Sequence, residues 1–184
     1  ELPIYTCPSM ALPRTMPIEE CGEKLGPGSY LISSRVKYTT HAQLDGAFVN
    51  PPEIANQRYE CGLKRMVDGT SHTLLIGETN FGFFSFKWDE GCSFDGSPRW
   101  GNHTWSEGYW LYAWGHTGEG QRYNFDDEQA QWRTGFTSTF RSDHPNGVQF
   151  VLVDGSVHFL PSDIEPAILA AMITRAGSEI FKLP

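Results

Sequence analysis

No stretch of this chain reaches the roughly 18 consecutive apolar residues that a membrane-spanning helix needs, so nothing in it reads as a spanning segment. The chain opens on Glu1-Leu2-Pro3, which is neither a methionine start nor the basic-then-apolar pattern of a signal peptide; this predicts a processed or truncated piece. Positive charge is scarce. Lys and Arg number 14 against 22 Asp and Glu, and the net charge of -8 repels phosphate backbones and anionic lipid. That argues against nucleic-acid binding and peripheral membrane attachment, and it suits an exported surface. The 4 cysteines, Cys7, Cys21, Cys61 and Cys92, show no Cys-x2-Cys or Cys-x3-Cys spacing, which speaks against a zinc knuckle or ribbon and against a thioredoxin-type pair. Their even count fits disulfides in an oxidising compartment, the alternative being buried free thiols. Cys7–Cys21 with Cys61–Cys92 is the first pairing to expect, because each closes a modest loop. Also missing are a Gly-x-Ser-x-Gly elbow, a His-Glu-x-x-His pair and a phosphate-cradling glycine loop, and their absence argues against an enzyme. Ser142 and Asp143 beside His144 supply the residue types of a triad, but adjacency in sequence is not triad geometry.

What is abundant is punctuation. With 19 glycines and 12 prolines, long helices are excluded over most of the chain, and the reading is α+β, mainly β, as a single domain over 1–184. Residues 1–28 are proline-rich and predict a packed, irregular opening segment pinned by Cys7 and Cys21. Tyr30, Ile32, Val36, Tyr38 and Thr40 fall at even positions, a strand periodicity broken once near Ser34, which predicts one or two strands. Residues 41–62 read as a loop. Asp68 or Ser71 can cap a short turn ahead of a buried strand over Thr73–Glu78. Near the C-terminus, Asp154-Gly155 between two strand-like runs predicts a two-residue type I′ hairpin that buries Phe150, Leu152, Val157 and Phe159, with Gln149, Val151 and His158 opposite. Ser162-Asp163-Ile164-Glu165 has capping-box spacing, and Ile164, Ile168, Leu169 and Met172 then predict a short amphipathic helix ending at Gly177. Residues 79–135 form a glycine-rich aromatic insertion that holds all 6 tryptophans.

His144, nine intervening residues and Asp154-Gly155, then Thr174-Arg175-Ala176-Gly177, together resemble a bacterial prepilin-type family of unknown function with a C-terminal His-x9-Asp-Gly motif, also filed as an extracellular solute-binding family. Asp68-Gly69-Thr70-Ser71-His72-Thr73, leading through the strand to Glu78, is similar to an internal block of that family, with His72 where an asparagine is usual. Cys7-Pro8-Ser9 resembles its Cys-Pro-Ser opening. The resemblance implies a pilin-like or pseudopilin-like head, exported to the periplasm or cell surface. It also implies a hydrophobic helix ahead of this region that anchors the protein in the inner membrane, and pilin-like subunits or envelope proteins as partners.

Several residues carry sharper expectations. His144 precedes Pro145-Asn146-Gly147 and is expected to organise that turn rather than do chemistry, so neither a catalytic residue nor a metal ligand is assigned. Trp110, Tyr112 and Trp114 alternate, which places three aromatic faces on one side of a strand; with Trp100 and Trp105 they could stack a glycan or fill a core. Asp89, Glu90 and Asp95, or Asp126, Asp127 and Glu128, offer oxygen donors that could hold calcium, although neither set follows the EF-hand pattern and a solvated acidic loop is the plainer reading. The function expected is a structural or interaction module, with a solute- or carbohydrate-binding module as the alternative.

Overall fold

The computed structural model describes residues 2–11, 17–21, 26–34, 36, 45–48, 62–80, 96, 114–115 and 140–183. Among them a sheet is built from β1 (Tyr30–Ser33), β2 (Leu74–Glu78), β3 (Trp114–Gly115), β4 (Gly147–Leu152) and β5 (Val157–Pro161), in the order β3-β1-β2-β4-β5. The pairs β1–β2, β2–β4 and β4–β5 are antiparallel, and the two-residue β3 runs parallel to β1. One helix, α1 (Pro166–Ile173), follows β5.

The core lies on one face of this sheet. Leu31, Leu74, Phe140, Val148, Phe150, Leu152 and Leu160 meet Ile164, Leu169, Met172 and Ile173 from the helical segment. Full burial of each such side chain contributes about 1.5–3 kcal/mol, which is why the short α1 stays docked although a helix of its length is marginal alone. Between Leu74 and Ile76 the β2–β4 register shifts by one residue. This bulge inverts the inside–outside alternation, so Leu74 and Gly77 both face the core and Glu78 points to the other face.

Three expectations are corrected. The hairpin turn is not a two-residue type I′ loop: Gly155 alone of its residues has positive φ, at 87°, and its N–H donates to Leu152 O while Leu152 N–H donates to Ser156 O. That is a longer loop with a left-handed glycine forming a bulge, and it pairs Val151 with Val157 and Gln149 with Phe159. Sliding the register exchanges the faces of β5. Phe150 and Leu152 are buried as expected, but Val157 and Phe159 are 63% and 51% exposed and Leu160 takes the core position. In β1, Leu31 and Ser33 are buried and Tyr30 faces out. The capping box does not form either. Glu165 holds the N-cap position without a side-chain cap bond, Pro166 starts the helix with its φ already set, and the helix stops at Ile173, ahead of Gly177.

The insertion leaves and returns at neighbouring backbone positions. Thr79 N–H donates to Ser29 O at 2.8 Å, and Arg141 N–H donates to Glu78 O at 2.9 Å. The chain thus leaves β2 and approaches β4 at adjacent positions of the sheet.

Candidate functional site

The motif blocks of the sequence gather at the two ends of the β2–β4 ladder. At one end, β2 terminates in Glu78 and β4 is preceded by His144. On the face away from the core, cross-strand pairing aligns Tyr30 with Glu78 and Gln149 with Phe159, so a row of outward side chains crosses the sheet here. The opening segment is drawn to the same place: Cys7 N–H donates to the buried Ser29 Oγ at 2.8 Å, Ser29 N–H donates to Tyr5 O at 2.8 Å, and Ala11 N–H donates to Asp143 Oδ2 at 2.7 Å. Asp143 also accepts from Asn80 Nδ2 at 2.7 Å, tying the end of β2 to the approach to β4.

These contacts bring Cys7, Glu78 and His144 together, with one donor atom of each lying within 4.8 Å of the others. His144 Nε2 is 3.4 Å from Cys7 Sγ and 3.4 Å from Glu78 Oε1. The other carboxylate oxygen of Glu78 accepts from Gln149 N–H at 2.9 Å, which fixes the carboxylate to the first residues of β4. His144 is held through its backbone N–H, which donates to Ser142 Oγ at 3.1 Å, and by an edge-to-face contact with Phe159 at 6.4 Å between ring centres. The left-handed Asn146 (φ 63°) and Gly147 complete the turn. A Cβ on Gly147 would lie 2.5 Å from Leu160 O and from the Phe159 ring, so only glycine lets β4 begin beneath that ring.

Cys7 and Glu78 are buried, and the His144 side chain is 21% exposed, so the imidazole is the side of the cluster that meets solvent. Burial is the main cause that pushes the Cys7 thiol above its ordinary pKa; the neighbouring Glu78 carboxylate adds to the rise, and hydrogen bonds from Ser9 offset part of it. A thiol held protonated is a poor nucleophile.

The other end of the ladder is a structural joint. Asp68 accepts from Gly177 N–H and Ser178 N–H, both at 2.8 Å, and Asp68 N–H donates to Arg175 O at 3.2 Å. Asp154 N–H donates to Thr70 O at 3.0 Å, and Val153 N–H donates to Thr73 O at 2.9 Å. Gly69 takes φ 98°, where Thr73 Oγ1 and His72 N–H donate to its carbonyl, while Ser71 Oγ lies 3.1 Å from His72 Nδ1. Asp154 in turn accepts from Ser156 Oγ and Ser156 N–H, at 2.6 and 2.9 Å. Arg175 reaches back to Gly46 O at 2.6 Å. Asp68, Gly69, Thr70, Asp154 and Gly155 thus belong to one hydrogen-bonded unit that locks the hairpin turn to the start of β2 and the chain end.

Of the cysteines, Cys7 is a free thiol and Cys21 is disulfide-bonded, so the Cys7–Cys21 pairing expected from loop length is not formed. The physical reason is the Ser29 and Asp143 contacts, which turn Cys7 toward His144 instead. Cys61 and Cys92 lie outside the described residues, as do Trp100, Trp105, Trp110 and Tyr112 and both acidic stretches considered for calcium. Trp114 contributes backbone pairing to β3, opposite Ile32.

Sequence reasoning singled out Cys7, Glu78 and His144 separately and did not foresee their meeting. The signal that could have found them is topological: one residue precedes β4 and another ends its antiparallel partner. No curated protein and no solved structure matches the chain. A family model does: the chain belongs to the family described as "Protein of unknown function (DUF1559)", named SBP_bac_10, whose model matches residues 1–167.

Proposed function

We propose that this chain is the exported head of a pilin-like or pseudopilin-like protein and acts as an interaction module rather than as an enzyme. The observation that carries the reading is that β2 and β4 pair directly while the Arg141–Glu78 backbone bond joins the points where the intervening segment leaves and returns. A rigid sheet that displays a long segment from adjacent stems is the usual way a fold presents a binding surface. The solute-binding filing in the family's name, the disulfide at Cys21 and the acidic surface agree with export and with ligand or subunit contact. The protonated, buried Cys7 argues against a thiol nucleophile.

On this reading the head sits outside the inner membrane, held by a hydrophobic helix of the kind the resemblance implies. Its partners are pilin-like subunits or other envelope proteins, and Trp100, Trp105, Trp110, Tyr112 and Trp114 supply a surface for a neighbour or a glycan. The test is protease accessibility of the full-length protein in intact spheroplasts. Digestion of the head while a cytoplasmic marker survives is expected; protection of both refutes export. A glycan array probed with the purified chain separates the two kinds of partner, since a sugar-binding head retains specific glycans and a head that contacts only subunits retains none.

A further inference from the structure

We infer that Cys7, Glu78 and His144 form a binding site for one borderline divalent metal ion, with Zn²⁺ as the cation their donor set fits. Several side chains converge on one atom of the imidazole. His144 Nε2 lies 3.4 Å from Cys7 Sγ, 3.4 Å from Glu78 Oε1 and 3.5 Å from Gln149 Nε2. A ring nitrogen has either one proton or one lone pair. It can therefore hydrogen-bond one neighbour well at a time, and the Cys7 thiol has a hydrogen bond of its own with the Glu78 side chain. A nitrogen-to-oxygen separation of 3.4 Å is moreover beyond the usual N–H···O range.

As the edges of a coordination polyhedron the same distances are ordinary. A tetrahedral zinc ion with ligand distances of about 2.3 Å to sulfur and about 2.0–2.1 Å to nitrogen and oxygen places sulfur about 3.6 Å and oxygen about 3.3 Å from the ligand nitrogen. All three donor atoms lie within 4.8 Å of one another. The donor set also selects: one sulfur, one imidazole nitrogen and one carboxylate oxygen suit Zn²⁺ and are wrong for Ca²⁺ or Mg²⁺, which take oxygen ligands.

The surroundings resemble those of a supported metal site. Glu78 is fixed by Gln149 N–H through its second oxygen, leaving Oε1 for the ion, and Cys7 is fixed by its backbone bond to Ser29. Such secondary contacts orient ligands before the metal arrives. His144 is the partly exposed member, so the fourth position opens toward solvent and can take water. The three ligands come from the opening segment, the end of β2 and the approach to β4. A bound ion therefore cross-links the irregular opening segment to the sheet, next to the stems of the insertion. This inference is independent of the pilin-like reading.

The experiment uses the full chain, stripped with a chelator and titrated with Zn²⁺ in competition with a chromogenic indicator, then with Co²⁺ as a spectroscopic substitute. One equivalent of Zn²⁺ should bind, and Co²⁺ should show the thiolate-to-metal charge-transfer band that only a cysteine ligand produces. Cys7→Ser should abolish that band, and His144→Gln should weaken Zn²⁺ binding by more than the roughly 10–100-fold that loss of an outer-shell partner costs. If either variant fails to fold, alkylation of the wild-type chain at alkaline pH, for long enough that the metal-free chain is labelled at Cys7, decides: Zn²⁺ should slow that labelling by iodoacetamide, as read by peptide mass spectrometry. Absence of Zn²⁺ binding, binding undiminished in both variants, or Cys7 alkylated at the same rate with and without Zn²⁺ would each overturn the site.

Discussion

Gly77 offers the sharpest test of how the site is held, because it sits one residue before Glu78 and beneath the tightest part of the core. A Cβ added there would lie 2.5 Å from Phe140 Cδ1 and 2.5 Å from Phe150 Cε1, whereas ordinary contact begins at 3.4 Å. Each ring would have to retreat by about 0.9 Å. Neither can do so freely: Phe140 and Phe150 are 0% and 1% exposed and pack edge to face with centres 5.1 Å apart. Overpacking of this kind costs about 1–3 kcal/mol, while replacing a strand glycine by alanine returns about 0.5–1 kcal/mol of chain entropy. Gly77→Ala should therefore destabilise the domain by about 1–2 kcal/mol, or about 2–8 °C in melting midpoint for a chain of this size. Urea titration should show a lower midpoint with the same slope. Phe140→Leu in the Gly77→Ala background should cost less than the sum of the two single changes, since it removes the ring that the new methyl meets. An unchanged midpoint for Gly77→Ala, or strict additivity in the cycle, would refute the argument that these rings require glycine.

Gly155→Val should lower the urea midpoint by roughly 1 kcal/mol or more through backbone strain alone, because φ is 87° and nothing lies within 4 Å of the added Cβ. Asp68→Ala removes two hydrogen bonds to backbone N–H groups of the chain end, so a loss of about 1 kcal/mol is expected, with faster amide exchange at Gly177 and Ser178. Cys7 should react slowly with iodoacetamide at neutral pH and faster in urea, since burial raises its pKa; rapid labelling of the native protein would contradict the thiol environment described. Asp154 is held below the ordinary carboxyl range chiefly by the Ser156 hydroxyl. A lowered folded-state value means that its stabilisation is present above the unfolded value and is lost as pH falls through the folded one, so Asp154→Asn should flatten that acid-side part of the stability curve.

Much of the C-terminal fold could be read from local chemistry. The runs at Val148–Val153 and Ser156–Leu160 announce a hairpin, and Gly155 takes the left-handed conformation its position suggests. What failed was parity. Phe159 and Val157 look like core residues by hydrophobicity, yet the extra residues in the turn put Leu160 inward, and no local propensity distinguishes a type I′ loop from one with a glycine bulge when Asp-Gly serves both. The capping box failed for a related reason: Pro166 starts a helix by its fixed φ, and that competes with Ser162 as the starting point. Cys7 was read as half of a disulfide because loop length alone governs such guesses. The 137-residue separation from His144 is invisible until the sheet brings both to one end of β4.

The spacing of the two central blocks explains how a short motif can organise both ends of the molecule. Asp68 and Glu78 are ten positions apart, and so are His144 and Asp154. The strands within those spans, Leu74–Glu78 and Gly147–Leu152, are antiparallel neighbours. Antiparallel pairing of two equal spans must bring the start of one to the end of the other: Glu78 meets His144, and the Asp68–Thr70 turn meets Asp154. The His-x9-Asp-Gly spacing is thus the length of one strand with its approach and its turn, and the bulge in β2 absorbs the residue that would otherwise put Glu78 on the core face. One end uses backbone hydrogen bonds and closes into a joint. The other end gathers a thiol, a carboxylate and an imidazole with their donor atoms within 4.8 Å of one another, and that difference in chemistry distinguishes the end that supports the fold from the end able to hold something else.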